Sequence, residues 1–181
     1  KLGVSINQIY MAVLVQRVVP AEYAFVIHTT NPMNGNDDEV YVEACIGLGE
    51  AIVSGDMPGL SLSFTNDKLK IKGAQVNNYP NKSLGLSAEG FIFRSDSNSE
   101  DLPGFAGAGL FDSYTMNQET KFRINYNQER LVIDENFRNE FMNKVGGLGH
   151  HIEKIYNDEP QDVEGAFYKG QYYVVQTRPQ V

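Results

Sequence analysis

The chain is short of basic residues, cysteine and histidine, and each shortage removes a class of function. Its 181 residues include 15 Lys and Arg against 23 Asp and Glu, a formal net charge of -8. That balance argues against a nucleic-acid surface, although a local basic pocket can sit inside an acidic molecule. The one cysteine, Cys45, lies in the apolar run Val40-Tyr-Val-Glu-Ala-Cys45-Ile46, so an intrachain disulfide framework is excluded and a buried thiol is expected. No apolar run approaches the length of about 18 residues needed for a membrane span. No internal repeat or low-complexity tract occurs. An initiating methionine, signal peptide or transit segment is also lacking, and the abrupt opening Lys1-Leu-Gly-Val-Ser is what a piece of a longer protein would show.

The three histidines do not make a metal cluster. His28 alternates within an apolar strand pattern, and His150 and His151 are adjacent, hence differently directed, helical positions, so packing or surface roles are expected. Ser95, Ser97 and Ser99 have no histidine and acid set to activate them as a hydrolase triad. Gly47-Leu-Gly49-Glu50 lacks the lysine and hydroxyl residue of a P-loop and the glycines of a dinucleotide fingerprint. It permits a tight turn or a close approach of backbone to ligand.

What is present is mostly strand. The length suits one sizeable core, or one and a fraction of another. Ser5 to Tyr10 reads as a helix tail or a linker. Met11 to Val19 is rich in β-branched residues and ended by Pro20, Tyr23 to Thr30 is a second strand, and Glu39 to Cys45 a third across the turn-rich stretch Asn31 to Asp38. Short connections predict that these three form an antiparallel meander. Leu60 to Phe64 follows Pro58-Gly59, short edge strands fit near Leu69 to Ile71 and Val76, and Phe91 to Asp96 and Met116 to Ile124 read as further strands. Asp134 opens a helix in which Phe137, Phe141 and Val145 recur at helical spacing, and Gly146-Gly147 is a place for it to stop or bend before His150 to Tyr156. Many strands with one long helical region predict an α+β fold, mainly antiparallel sheet, with the helical segment before a C-terminal hairpin.

That hairpin, Asp162 to Arg178 about Lys169-Gly170, carries the most chemistry. A two-residue loop at 169 and 170 sets Tyr168 opposite Gln171 and turns Glu164 away from Gln176. A three-residue loop over Tyr168, Lys169 and Gly170 pairs Phe167 with Gln171. It puts Glu164, Gln176 and Arg178 on one face and Val163, Phe167, Tyr173 and Val175 on the other. The three-residue register is the expected one because it buries the hydrophobic set on a single side. A carboxylate, an amide oxygen and a guanidinium on one face suit a metal-bound polyphosphate, and a solvated sheet face with an ion pair is the alternative.

Two further places suit ligands. Arg94, at the end of its strand, discharges into the loop Ser97-Asn-Ser-Glu-Asp-Leu-Pro-Gly-Phe-Ala-Gly-Ala-Gly109, an anion pocket or an irregular surface loop. Gln16, a polar amide in a hydrophobic strand beside a turn, suits a nucleobase contact or an edge position. Glu43 and Glu50 offer acids near the same pocket or face solvent.

Six blocks together resemble the nucleotide-binding part of an α-glucan, water dikinase. They are Met11-Ala-Val-Leu-Val-Gln16, Tyr23 to Pro32, Gly47-Leu-Gly-Glu50, Phe93-Arg-Ser-Asp-Ser-Asn-Ser-Glu-Asp101, Phe105 to Ser113 and Val174-Val-Gln-Thr-Arg-Pro-Gln180. These enzymes group with pyruvate, phosphate dikinase and phosphoenolpyruvate synthase. The resemblance implies that residues 1–181 are a partial ATP-grasp-like nucleotide-binding domain, with a boundary or loop excursion near 57–90. It implies ATP and magnesium as cofactors, with Gln16, the backbone around Val18 and Glu43 at the nucleotide. Glu164 and Gln176 match the metal-proximal pair, Arg178 the phosphate-facing arginine, and Arg94 the arginine of an arginine-serine motif, both arginines catalytic in stabilising charge. That motif follows the adenine segment, an order resembling the glucan dikinase branch. Ser99 stands where such enzymes more often have glycine, so a local loop adjustment is expected. The resemblance further implies partners outside the chain: an upstream half of the nucleotide-binding domain, a domain with the phosphohistidine carrier, and a starch-like α-glucan held by other domains. None of His28, His150 and His151 is then the carrier. Plastid or cytoplasm is the implied compartment.

Overall fold

The computed structural model describes residues 7, 9–53, 58–67, 70–71, 74–97, 101–102, 105–106 and 113–180. The strands are β1 (Met11–Arg17), β2 (Tyr23–His28), β3 (Glu39–Ile46), β4 (Leu60–Asp67), β5 (Lys70–Ile71), β6 (Gln75–Asn78) and β7 (Lys82–Ser87), with a short helix, α1 (Glu50–Val53), before β4. Then come β8 (Phe91–Ser97), β9 (Asp101–Leu102), β10 (Phe105–Ala106), β11 (Ser113–Thr115) and β12 (Thr120–Asn125). Helices α2 (Arg130–Ile133) and α3 (Glu135–Ile155) precede the hairpin β13 (Gln161–Tyr168) and β14 (Gln171–Pro179). Among the described residues all pairs of these strands are antiparallel, so the α+β fold with its dominant antiparallel sheet and C-terminal hairpin is as expected. Among the described residues no helix is long and apolar enough to cross a membrane.

Two compact units share the chain, one of residues 1–18, 88–119 and 181, the other of residues 19–87 and 120–180. In the first, β8 is the centre of a three-stranded sheet between β1 and β11. In the second, seven strands run in the order β14-β13-β2-β3-β4-β5, with β6 also on β4. The expected meander of the first three strands is therefore corrected. β1 pairs along all seven of its residues with β8, and the consecutive strands that do form a meander are β2, β3 and β4. Proximity in sequence misleads because the stretch holding Pro20, which has no N–H to give to a ladder, separates β1 from β2.

The second unit has a clear core. Asp134 caps α3, its carboxylate accepting from the Phe137 N–H at 3.0 Å. Phe137, Phe141 and Val145 then fall on one stripe, as their spacing predicts. Phe141 and Val145 are fully buried with Phe25, Ile27, Val42, Leu60, Leu62 and Val163 of the sheet. Phe141 meets Phe25 edge to face at 5.9 Å and Tyr172 at 5.8 Å between ring centroids. Each fully buried side chain of this size contributes about 1.5–3 kcal/mol. Gly146 and Gly147 neither stop nor break α3, which runs unbroken through His150 and His151. Cys45 is buried in a satellite cluster with Ala24, Ala51 and Leu86, and burial pushes its thiol up to about 12.

Two further boundaries differ from expectation. Of the expected Met116 to Ile124 strand only the part from Thr120 is strand, β12, while residues 116–119 connect it to β11, which ends at Thr115. Arg94 is not at a strand end but is the fourth of seven residues in β8, which runs on to Ser97. Gly47 takes φ +86 in an isolated parallel bridge to Leu86, and a Cβ there would meet the Leu86 carbonyl oxygen, so this glycine serves a close approach of backbone to backbone. Residues 98–100, 103–104 and 107–112, with Ser99 and the loop glycines Gly104, Gly107 and Gly109, lie outside the described residues, as does Ser5.

Candidate functional site

The hairpin register is where sequence and structure differ most. Tyr168 pairs with Gln171, so the loop has two residues, Lys169 at φ 49 and Gly170 at φ 77. Two successive positive φ values mark the type I′ turn that matches strand twist, and glycine suits the second place. The expected three-residue loop is thus corrected. Taken alone, that correction would turn Glu164 away from Gln176. It does not, because the register shifts between Glu164 and Gly165: Gly165 faces Val174, Glu164 faces Gln176, and Val175 is the extra residue of a bulge. The bulge sits where the Phe25 ring lies over Gly165, so close that a Cβ there would be 2.3 Å from Phe25 Cε2. Tyr172, rather than Tyr173, is consequently the tyrosine on the core side, and Val175 is not part of a regular apolar face.

Antiparallel partners share a face, and the registers therefore define two polar cross-strand rows. One runs Gln176, Glu164, Val26, Glu43 and Ser61 across five strands; the next runs Arg178, Asp162, His28, Tyr41 and Ser63. Both lie on the face opposite Val163, Ile27, Val42 and Leu62, which belong to the core under α3. Glu164, Gln176 and Arg178 thus stand together, all half-buried. Glu43 is two strands from Glu164, about 10 Å at the backbone, so it lines the same face without joining the first pair.

The second row contains contacts that the sequence reading missed. His28 Nδ1 lies 2.7 Å from Asp162 Oδ1, and Asp162 Oδ2 lies 3.5 Å from Arg178 Nε. Asp162 is 13% exposed and Arg178 30%, burial at which an ion pair is screened less than on the open surface. The signal was available: Asp162 stands two residues before Glu164 and so has its parity. Just beyond, Gln161 is fully buried, its N–H donating to Thr29 Oγ1 at 2.8 Å and its side-chain oxygen accepting from the Thr177 hydroxyl at 3.1 Å. These bonds fix where β13 begins, and hence which residues face the polar side.

Gln16 and Arg94 belong to the other unit, where they also share a face. Gln16 pairs with Ile92 and Leu14 with Arg94, making Gln16 and Arg94 diagonal neighbours. Arg94 also faces Ser113. The Val18 N–H is committed to the Gly90 carbonyl at 2.9 Å, so a base contact at Val18 falls to its own carbonyl.

The donor set decides which ion would fit. No group of three or more His, Cys, Asp or Glu side chains is gathered for a metal among the described residues. Glu164 and Gln176, directly opposite with Cβ atoms about 4.5–5.5 Å apart, offer two hard oxygens. That suits magnesium, which keeps waters and phosphate oxygens in its remaining positions, better than zinc.

Comparison with known proteins bears on the family of the chain. Residues 1–90 match the family described as "Pyruvate phosphate dikinase, AMP/ATP-binding domain". The whole chain is 49% identical over 182 residues to "Alpha-glucan water dikinase, chloroplastic" of Solanum tuberosum, covering 12% of that protein. It is 47% identical over 182 residues to "Alpha-glucan water dikinase 1, chloroplastic" of Arabidopsis thaliana, again over all of this chain and 13% of the relative. "Phosphoenolpyruvate synthase" of Pyrococcus furiosus is 28% identical over 181 residues, 99% of this chain and 19% of that protein. The chain thus spans about an eighth of the glucan dikinases it matches, and the match to them extends past residue 90 through the terminal hairpin. It belongs to the α-glucan, water dikinase family, within the superfamily of pyruvate, phosphate dikinase and phosphoenolpyruvate synthase, and corresponds to an ATP-binding part of such an enzyme.

Proposed function

We propose that this chain binds the polyphosphate of ATP for a glucan-phosphorylating dikinase, using the half-buried face of Glu164, Gln176 and Arg178. The observation carrying this reading is the register that sets Glu164 against Gln176, with Arg178 two residues along the same strand. A carboxylate and amide oxygen are hard ligands, and a guanidinium offers a fork of donors to phosphate oxygens. Glu164 and Gln176 would hold magnesium, whose charge, when it is bound, would offset that of the phosphates. Arg178 stabilises negative charge that develops as the phosphoryl groups part. In the smaller unit, taken by itself, Gln16 and the Val18 carbonyl offer contacts for a base and Arg94 a guanidinium for an anion; in the larger unit Glu43 lines the polar face of the sheet.

The reaction transfers the β-phosphoryl group of ATP to a histidine of a separate domain. Water takes the γ-phosphoryl group, so ATP, water and histidine give phosphohistidine, AMP and phosphate. The phosphohistidine then delivers its group to a glucosyl hydroxyl of a starch-like glucan, held elsewhere in the enzyme. The relatives' names point to the plastid as the compartment. Calorimetry of magnesium-ATP binding, on the protein at the length of its relatives, tests the reading. Arg178→Ala should weaken ATP at least about tenfold, the loss expected for a charge-assisted bond, and leave adenosine affinity unchanged. Equal ATP affinity in the two proteins would overturn it.

A further inference from the structure

Arg178 lies at one end of a chain of side chains that crosses four strands. Arg178, Asp162, His28 and Tyr41 are successive cross-strand partners on β14, β13, β2 and β3. The Asp162 carboxylate divides its oxygens, Oδ1 at 2.7 Å from His28 Nδ1 and Oδ2 at 3.5 Å from Arg178 Nε. The His28 ring is backed by the Tyr41 ring, with centroids 5.9 Å apart. An ionised carboxylate can only accept, so the hydrogen in the short contact is on His28 Nδ1.

We infer that His28 is a positioning residue for phosphate binding: through Asp162 it fixes the guanidinium of Arg178. An aspartate carboxyl turns within a broad torsional well. The short bond from His28 selects one orientation, and in that orientation the other oxygen faces Arg178. Anchoring the guanidinium at Nε leaves its two terminal nitrogens, a parallel pair of donors, for phosphate oxygens. Without His28 the carboxylate turns, the guanidinium loses its anchor, and part of the cost of ordering a long side chain falls on ATP binding. A histidine within an apolar strand, which sequence suggests is only packing, thereby acts on the ligand at two removes.

The inference rests on the reading that Arg178 faces phosphate, and the test separates the two. Magnesium-ATP and adenosine affinities are measured by calorimetry for the protein at the length of its relatives, alongside thermal unfolding. His28→Phe keeps a ring against Tyr41 and removes the donor; His28→Asn keeps a donor near the Nδ1 position. The expected result is a loss of about tenfold in ATP affinity for His28→Phe, unchanged adenosine affinity, and recovery of most of the loss in His28→Asn. In an Arg178→Ala background, His28→Phe should add nothing further, because the two changes act on one interaction. If Arg178→Ala leaves ATP binding intact, the phosphate reading itself falls. If Arg178→Ala weakens ATP but His28→Phe does not, or if the two losses multiply, only the inference about His28 is overturned. Equal loss of ATP and adenosine in both His28 variants, with a lowered unfolding temperature, would also overturn it by making His28 a purely structural residue.

Discussion

The two sheets use similar residues to different ends. β1 and β2 are both mainly apolar strands with β-branched residues, yet β2 carries the fully buried Phe25 and Ile27 while Met11, Val13, Leu14 and Val15 of β1 are 51–65% exposed. The difference lies in what covers each strand. The larger sheet has α3 on one face, which leaves the opposite face for polar rows whose members brace one another. The three-stranded sheet sets Gln16 and Arg94 on one face by backbone pairing, beside exposed apolar neighbours. Composition predicts a strand in both cases; burial is decided by partners distant in sequence.

Core substitutions should sharpen that contrast most. Phe141→Ala removes a ring that packs on Phe25, Phe167 and Tyr172, and about 3–5 kcal/mol of stability should go with it in a denaturant titration. Gly165→Ala places a methyl against the Phe25 ring and the Tyr173 carbonyl, at a cost of about 1–3 kcal/mol. Because the same clash falls at the bulge, this variant should also weaken magnesium-ATP binding, whereas Phe141→Ala should act through stability alone. A matched pair tests the two sheets directly: Val163→Ala in the core should cost on the order of 2 kcal/mol, Val15→Ala in β1 under about 0.5 kcal/mol. Comparable losses would mean that β1 is as well packed as β13.

The smallest effect is expected at the start of α3. The Phe137 N–H bond to Asp134 lowers that carboxyl from its ordinary value of 3.8. A depressed carboxylate stabilises the fold above the unfolded value and loses that effect as pH falls through the lower folded value. An acid titration of helicity should therefore show Asp134→Asn differing from the parent above about pH 4 and converging with it in stronger acid.

Much of this could be read in the sequence, but not all for the right reason. The helix was legible because Asp134 caps it and Phe137, Phe141 and Val145 keep the helical period. The shared face of Glu164, Gln176 and Arg178 was expected from a three-residue loop, whereas the chain reaches it through a two-residue loop and a bulge. Each changes parity by one, and together they cancel. The bulge could not be foreseen because it coincides with the contact between Gly165 and Phe25, residues on strands far apart in sequence. Sheet membership of β1 was invisible for a similar reason, since its partner β8 lies more than seventy residues downstream. His28 was legible as a strand residue only; its role depends on Asp162, which joins it through long-range pairing.

The central claim is that the face of Glu164, Gln176 and Arg178 receives the polyphosphate of ATP. A crystal structure of the protein at the length of its relatives, with magnesium and a non-hydrolysable ATP analogue, tests it most directly. The account predicts the metal between the Glu164 carboxylate and the Gln176 amide oxygen, and a phosphate oxygen within hydrogen-bonding distance of the Arg178 guanidinium. A polyphosphate bound away from this face, with Arg178 still paired to Asp162 and touching no phosphate, would contradict it.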